Sequence, residues 1–445
     1  MITDMTKGSP LKHILLFSVP LLIGNIFQQL YNIADIVIVG RTLGVEALAA
    51  VGAVSPLFFL VMFVVVGLTN GFAVVTGQKF GAKDFEGIRR SVVVSILLGT
   101  IFTLLFTIIA AVLMKPLLLW MNVPSEIFHN AYWYMAIVNA GLIVCCYYNL
   151  LASIIRALGD SKTPLYFLIF ASILNIFLAL LFIIKFIGCS ALIAENRLGI
   201  NRVLVCKKNF PFYLKKKIDF QKKRKQDIDF AVEHLKVGIP MGIQFSILGL
   251  VLIIQSVCNT FGPNVIAAFT AALRIEQIAT LPMISFGIAL AAYVAQNYGA
   301  KKFSRIRAGV SKTSLINIGL SLFMAFIMHM WGSDIVRIFI GDANEEIIKI
   351  ARSYLLISTM FYFFLGQIFI FRNALQGMGQ TLIPLSASTA ELLVRSYAAV
   401  YLAVKYSYFG IFYAGPIAWV TASLVVAIGY FSRIRKIMKQ AYKHV

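Results

Sequence analysis

The sequence predicts an all-α polytopic membrane protein: twelve transmembrane helices in two parallel six-helix repeats, with both termini cytoplasmic. Three observations predict it. First, 60% of the 445 residues are hydrophobic and only 13% are charged, whereas a soluble chain is roughly half apolar and about a quarter charged. Second, the basic residues alternate in density from one inter-span segment to the next. Third, the chain matches itself at a fixed offset. The net charge of +22 would suit a nucleic-acid partner if it were gathered on one face. Here it lies in short runs between apolar stretches of spanning length, so no nucleic acid is expected. The five cysteines show no metal-ligand spacing and read as small hydrophobes, so neither a disulfide scaffold nor a metal site is expected.

The apolar runs follow in order, each bounded by charge, Gly, Pro or Asn. The N-terminal half gives 14–40, 47–76, 91–114, 131–155 and 164–187, then an atypical 188–206. The C-terminal half gives 236–260, 264–298, 313–332, 351–371, 384–404 and 410–431. Lipid offers no partner to exposed backbone groups and nothing here alternates like a barrel strand, so these runs are expected to be helices. The first run is too long for the apolar core of a cleavable signal. With both ends cytoplasmic, 29 of the 40 Lys and Arg fall in inside segments, 7 in outside segments and 4 within spans. That bias orients the chain, and a plasma-membrane location is expected.

Gln78-Lys79-Phe80-Gly81-Ala82-Lys83 aligns with Gln296-Asn297-Tyr298-Gly299-Ala300-Lys301 at an offset of 218. Pro20 meets Pro240, and Gly159 with Pro164 meets Gly379 with Pro384, at 220. Six spans per offset is an even number, so the repeats run parallel about an axis along the membrane normal. The expected organisation is an N-terminal lobe over 1–206, a basic cytoplasmic linker over 207–235, and a C-terminal lobe over 236–445. Such a pair of bundles suits alternating access by rocking.

The residues Pro20 through Asp35, Val39-Gly40-Arg41, Gly77–Ala82, Arg156-Ala157-Leu158-Gly159-Asp160, Asn175, Arg274-Ile275-Glu276-Gln277 and Gly377-Met378-Gly379 resemble the multidrug and toxic compound extrusion (MATE) transporters. The resemblance covers Gly8 to Arg435. It implies a two-lobed secondary transporter that exports cationic or amphipathic organic compounds against H⁺ or Na⁺, with a small-molecule substrate, no cofactor beyond the coupling ion, and membrane lipid as its surroundings. A monomer is expected.

Four acids fall inside spans: Asp35, Glu195, Glu276 and Glu391. An ionised side chain at a helix centre costs roughly 2.5–3.5 kcal/mol on insertion scales, so each needs a partner or a purpose. Gln28, Asn32 and Asp35 are spaced i, i+4, i+7 and share one face of the first helix, expected to turn inward. Asp35 and Asn32 are candidates for cation coupling, and the resemblance adds Asn175 to the same site. The family commonly carries a second Asp one turn after that Asn, where this chain has Ala179. The change argues against tight Na⁺ binding there and leaves a single-proton carrier. In the C-terminal lobe, Glu276 stands two residues from Arg274, and Glu391 stands four before Arg395, a spacing for a direct ion pair. Glu276, Glu391 and Arg395 are candidates for substrate or coupling contacts, with Gln28 and Tyr31 in the other lobe. Gln244 and Gln367 stand where some family members have acids. Among the aromatics, Tyr31, Tyr147, Tyr148, Tyr362 and Phe245 could hold an aromatic cation.

The sixth span carries Glu195, Arg197 and Arg202 with two Asn in 19 residues. A pair of compensating frameshifts would explain a scrambled span of conserved length; a real polar helix lining the lobe is the alternative. No phosphate loop or nucleophile elbow occurs, so neither an enzyme nor ATP-driven transport is expected. Two other readings stay open: a flippase for a lipid-linked substrate, and a degraded, non-transporting membrane protein.

Overall fold

The computed structural model describes residues 2–42, 44–121, 123–185, 224–249, 261–340 and 345–442. The expected sixth span, 188–206, lies outside the described residues, as does the linker up to 223. Every regular element among the described residues is an α-helix. In chain order these are α1 (Pro10–Thr42), α2 (Gly44–Gly81), α3 (Phe85–Trp120), α4 (Ser125–Ala140), α5 (Leu142–Ala157), α6 (Lys162–Lys185) and α7 (Arg224–Gly249). They continue as α8 (Pro263–Gly299), α9 (Phe303–Ile340), α10 (Glu345–Met360), α11 (Tyr362–Gly377), α12 (Leu382–Phe412) and α13 (Ala414–Tyr442). Six helices among the described residues are long and apolar enough to cross a membrane, and two bent pairs qualify as broken spans.

The internal repeat is written into the backbone. Helices α4 and α5 reappear as α10 and α11 with all four ends displaced by 220 residues. Both pairs are bent, by 45° at Gly141 and by 52° at Phe361. The sequence reads each as one run, 131–155 and 351–371, because a bend leaves hydrophobicity intact. At the second bend the Phe361 N–H bonds the Ser358 carbonyl at 3.0 Å, a tightened i→i+3 turn. The Tyr362 carbonyl next to it accepts from the Ser321 hydroxyl of α9 at 3.1 Å, so a neighbouring side chain supports the kink. Lys83 and Lys301 both have left-handed φ, as do Gly159 and Gly379, each pair at the sequence offset.

The Arg156–Asp160 stretch acts as a helix stop and start. Gly159 closes α5 with φ +91°, and a Cβ there would collide with the Thr3 carbonyl. Asp160 then accepts from the backbone N–H groups of Lys162 and Thr163, both at 3.0 Å, and from the Thr163 hydroxyl at 2.8 Å, capping α6. Burial works against its ionisation, but these donors hold the carboxyl below its usual range.

Two compact units divide the chain. One holds 23–246 with the first four residues, and the other holds 5–22 with 247–445. Helices α1 and α7 therefore each change unit partway along, soon after Pro20 and Pro240. In the first unit, Gly67 and Gly71 of α2 face Gly238 and Gly242 of α7, both pairs at GxxxG spacing. A Cβ on Gly71 would stand 2.6 Å from the Gly238 Cα, and one on Gly67 would strike the Met241 carbonyl. Only hydrogen at these positions lets the backbones meet. Phe72, Ile88, Leu150, Ile154 and Leu158 form the adjoining core.

In the second unit, Ile14 and Phe17 of α1 pack with Tyr293, Val310 and Tyr430. The segment before α1 is held by the turn after α8. Gln296 accepts the Met5 N–H at 2.9 Å, Lys302 donates to Thr6 O at 2.9 Å, and Arg305 donates to Gly8 O at 2.9 Å. The matching turn in the first unit holds α7, through Lys79 and Glu233 at 3.3 Å. The repeated Gln-x-x-Gly-Ala-Lys motif thus serves as a clamp in both units.

Gly71→Val should push α7 off α2. Overpacking a close seam costs about 1–3 kcal/mol or more, so the variant should show a lower unfolding temperature in detergent, while Gly319→Val, where no described atom lies within 4 Å, should not.

Candidate functional site

In the first unit, Asp35 lies on α1 and Asn175 on α6; their side chains are outside the described set. Gln28 and Asn32 are exposed on α1, and Tyr31 is half-buried and engaged. The expected polar stripe is therefore accessible at its first two positions. Elsewhere in this unit Thr100 and Tyr147 hydrogen-bond at 2.6 Å. The Ser153 hydroxyl donates to Asn70 at 2.7 Å and accepts from Arg156, also at 2.7 Å.

The second unit concentrates the ionisable groups. Glu391 of α12 bridges two arginines. Its Oε1 takes Arg395 Nη2 at 2.6 Å, one helical turn on, and its Oε2 takes Arg372 Nη2 of α11 at 3.2 Å. Arg372 and Glu391 are only 7% and 8% exposed. The sequence places Arg372 in a cytoplasmic loop; in the structure it is buried inside α11, paired with an acid 19 residues away. The i, i+4 pairing of Glu391 with Arg395 is observed, and the second arginine could not be read from spacing.

Glu276 of α8 behaves differently. Arg274, two residues before it, is exposed, and among the described residues no ion pair reaches Glu276. Instead the Tyr354 hydroxyl of α10 donates to its Oε2 at 2.9 Å. Tyr354 is wedged edge-on between Phe269 and Phe412, at 5.1 and 5.5 Å between centroids. Ser358, one turn further along α10, sits beside both Glu276 and Tyr354, yet its buried hydroxyl meets no partner at hydrogen-bond geometry. The Tyr362 hydroxyl, past the bend, is likewise buried without a hydrogen-bond partner among the described residues. Tyr362 packs on Trp419 of α13 at 6.2 Å, and the Arg395 guanidinium lies 5.9 Å from the Trp419 ring centroid. Arg395 acts electrostatically on Glu276, so the two acids and two arginines lie in one neighbourhood in which the formal charges cancel.

Chemically, the site offers a half-buried carboxylate with one strong donor, several spare oxygen ligands and a fixed guanidinium beyond an aromatic wall. It can take up a cation or proton at Glu276, and the aromatic faces can hold a flat apolar group. Of its residues, sequence reasoning found Glu276, Glu391, Arg395 and Tyr362. It missed Tyr354, Ser358, Arg372 and Trp419. The Tyr354, Ser358, Tyr362 spacing of four was a usable signal, since three polar positions on one face of an apolar run imply an inward stripe.

Ionisable groups buried in paired or hydrogen-bonded form between apolar helices, in two repeats with matching broken helices, define an integral membrane transporter fold. The MatE family pattern matches residues 20–181 and 240–402, and the chain belongs to that family. It is 29% identical over 380 residues to the probable multidrug resistance protein YpnP of Bacillus subtilis, covering 85% of each chain. To the probable multidrug resistance protein YoeA of the same organism it is 25% identical over 446 residues, covering 97% of this chain and 95% of the other. A crystal structure of MATE in the bent conformation superposes with a TM-score of 0.89 at 23% identity over 98% of each chain. A transporter of the MOP superfamily from Pyrococcus furiosus superposes at 0.87 with 24% identity, again over 98% of each. The relatives are membrane transporters, and this chain is one by family and fold.

Replacing Glu391 with Gln should leave Arg372 and Arg395 without their shared counter-ion. Breaking a buried pair from one side costs about 3–5 kcal/mol, read as a marked fall in unfolding temperature in detergent. Adding Arg372→Met should recover part of the loss, because it removes one of the stranded charges.

Proposed function

We propose that the chain is a secondary active exporter of amphipathic or cationic organic compounds, exchanging substrate for H⁺ or Na⁺ across the plasma membrane. The observation that carries the reading is Glu276: a carboxylate inside a membrane helix, held by a tyrosine hydroxyl, with no basic residue ion-paired to it among the described residues. An intramembrane acid without a fixed counter-ion is costly to keep unless it exchanges a cation. Asp35, with Asn32 and Asn175, forms the second coupling candidate in the other repeat, on the motif that the family shares. The similarity to two probable multidrug resistance proteins supports organic compounds as cargo.

Glu391 and Arg395 take a supporting part in this reading, since each satisfies the other and Arg395 also acts electrostatically on Glu276. Gln28 and Tyr31 stand as substrate contacts on the accessible face of α1. A flippase for a pyrophosphate-linked lipid would call for surplus basic side chains; in the second unit Arg372 and Arg395 are already engaged by Glu391, which favours the exporter.

Efflux of a fluorescent organic cation from cells lacking their own exporters tests the proposal, with a pH or a Na⁺ gradient imposed in turn. Wild type should export under one gradient. Asp35→Asn and Glu276→Gln, at matched membrane levels, should lose coupled efflux, and whichever gradient works names the ion. Unchanged efflux in both variants would sink these assignments, and no efflux in wild type would favour a non-transporting protein.

A further inference from the structure

A buried histidine lies far from the site just described. His234 of α7 is fully buried in the first unit, beside the glycine seam that joins α7 to α2. Its Nδ1 is 2.6 Å from the Phe230 carbonyl, and its Nε2 is 2.9 Å from the Ser91 hydroxyl of α3. A carbonyl can only accept, so Nδ1 carries the proton and Nε2 of the neutral ring accepts from Ser91. Ser91 in turn meets the Thr76 hydroxyl of α2 at 2.8 Å. One imidazole thus ties three helices together. Phe72 and Phe230 flank the ring, at 5.9 and 6.5 Å.

Most charges near the ring are paired with one another. On α2, Lys79 pairs with Glu233 at 3.3 Å and lies over the Phe230 ring at 4.9 Å. On α3, Arg90 takes Glu86 at 2.8 Å and reaches Asp227 of α7 at 3.8 Å. Lys236, next on α7, adds a further positive charge. On α5, Arg156 bonds Ser153, and the rest of that helix's contribution to the adjoining core is apolar. Glu233, next to the ring, favours its protonation but is shared with Lys79, and Asp229 of α7 is exposed, so an imidazolium formed at the fully buried His234 would have no carboxylate bonded to it.

We propose that His234 is a pH-sensitive latch: neutral, it fastens the first half of α7 to α2 and α3, and protonated, it releases that half. The hydroxyl pair lets the ring switch without a steric clash. On gaining a proton Nε2 becomes a donor to Ser91, Ser91 turns toward Thr76, and Thr76 turns toward the Phe72 carbonyl at 3.5 Å. The hydrogen bonds survive, and the buried charge drives the release. Burial, the largest influence, lowers the affinity of the ring for a proton below its ordinary value of 6.5. The sign follows: docking is fully present above about 6.5 and weakens as pH falls below it toward the lowered value, where the released form binds the proton more tightly. The latch therefore responds to acidification on the side of the membrane that carries the basic segments.

Amide hydrogen exchange over residues 227–240, with the full chain in lipid nanodiscs, reads the latch directly. After correction for intrinsic rates, protection in wild type should fall between about pH 7.5 and about pH 5, by up to about tenfold per pH unit within the window. His234→Gln should show a pH-independent level. Ser91→Ala, which removes the stronger, charge-assisted partner of the protonated ring, should move the midpoint to lower pH, a shift that simple destabilisation would not produce. Protection that stays flat in wild type, or falls equally in His234→Gln, or keeps the same midpoint in Ser91→Ala, overturns the proposal.

Discussion

Hydrocarbon offers nothing to a polar group, and that constraint organises this molecule. Every charge carried into the bundle must find its partner inside the protein or be able to shed its charge. The Arg372–Glu391–Arg395 bridge is the first solution: one carboxylate with both oxygens used, shared between two helices. Glu276 is the second: a carboxylate with a neutral hydroxyl, that of Tyr354, as its hydrogen-bond partner. The two solutions are linked electrostatically, since Arg395 acts on Glu276. Their chemistry differs because one acid is locked by cations and the other is not.

The same constraint explains the packing. Between apolar helices in lipid there is little hydrophobic gain from association, so close approach and hydrogen bonding must hold them. The Gly67/Gly71 and Gly238/Gly242 seam supplies the approach, and the Thr76–Ser91–His234 set supplies the hydrogen bonds at one end of it. In the other unit the equivalent duty falls on the backbone of residues 5–8, gripped by Gln296, Lys302 and Arg305. The second position of the duplicated motif thus grips a neighbouring segment with two chemistries, a salt bridge from Lys79 in one repeat and a carbonyl contact from Asn297 in the other.

The bends at Gly141 and Phe361 show how much a repeat conserves. The same break occurs at the same register although one position is glycine and the other is a bulky aromatic. Gly141 can bend by its own freedom. Phe361 bends with the help of Ser321, whose hydroxyl takes up a carbonyl beside the break. The second break also separates Ser358 from Tyr362, leaving two hydroxyls near Glu276 that a straight helix would place in continuous register.

The sequence by itself determined the membrane class, the helical architecture, the repeat offset, the Glu391–Arg395 pair and the placement of Glu276 within an apolar helix. Each follows from local composition, from a period of 3.6 residues, or from self-similarity, which need no knowledge of what packs where. Tertiary structure decided what depends on distant segments meeting. It moved Arg372 from a loop into the core, because only the fold brings α11 against α12. It gave Glu276 a tyrosine rather than its sequence neighbour Arg274, because a helix turns residues two apart to different faces. It buried His234 against Ser91, 143 residues away in sequence, and no periodicity along one helix encodes what another helix will bring to it.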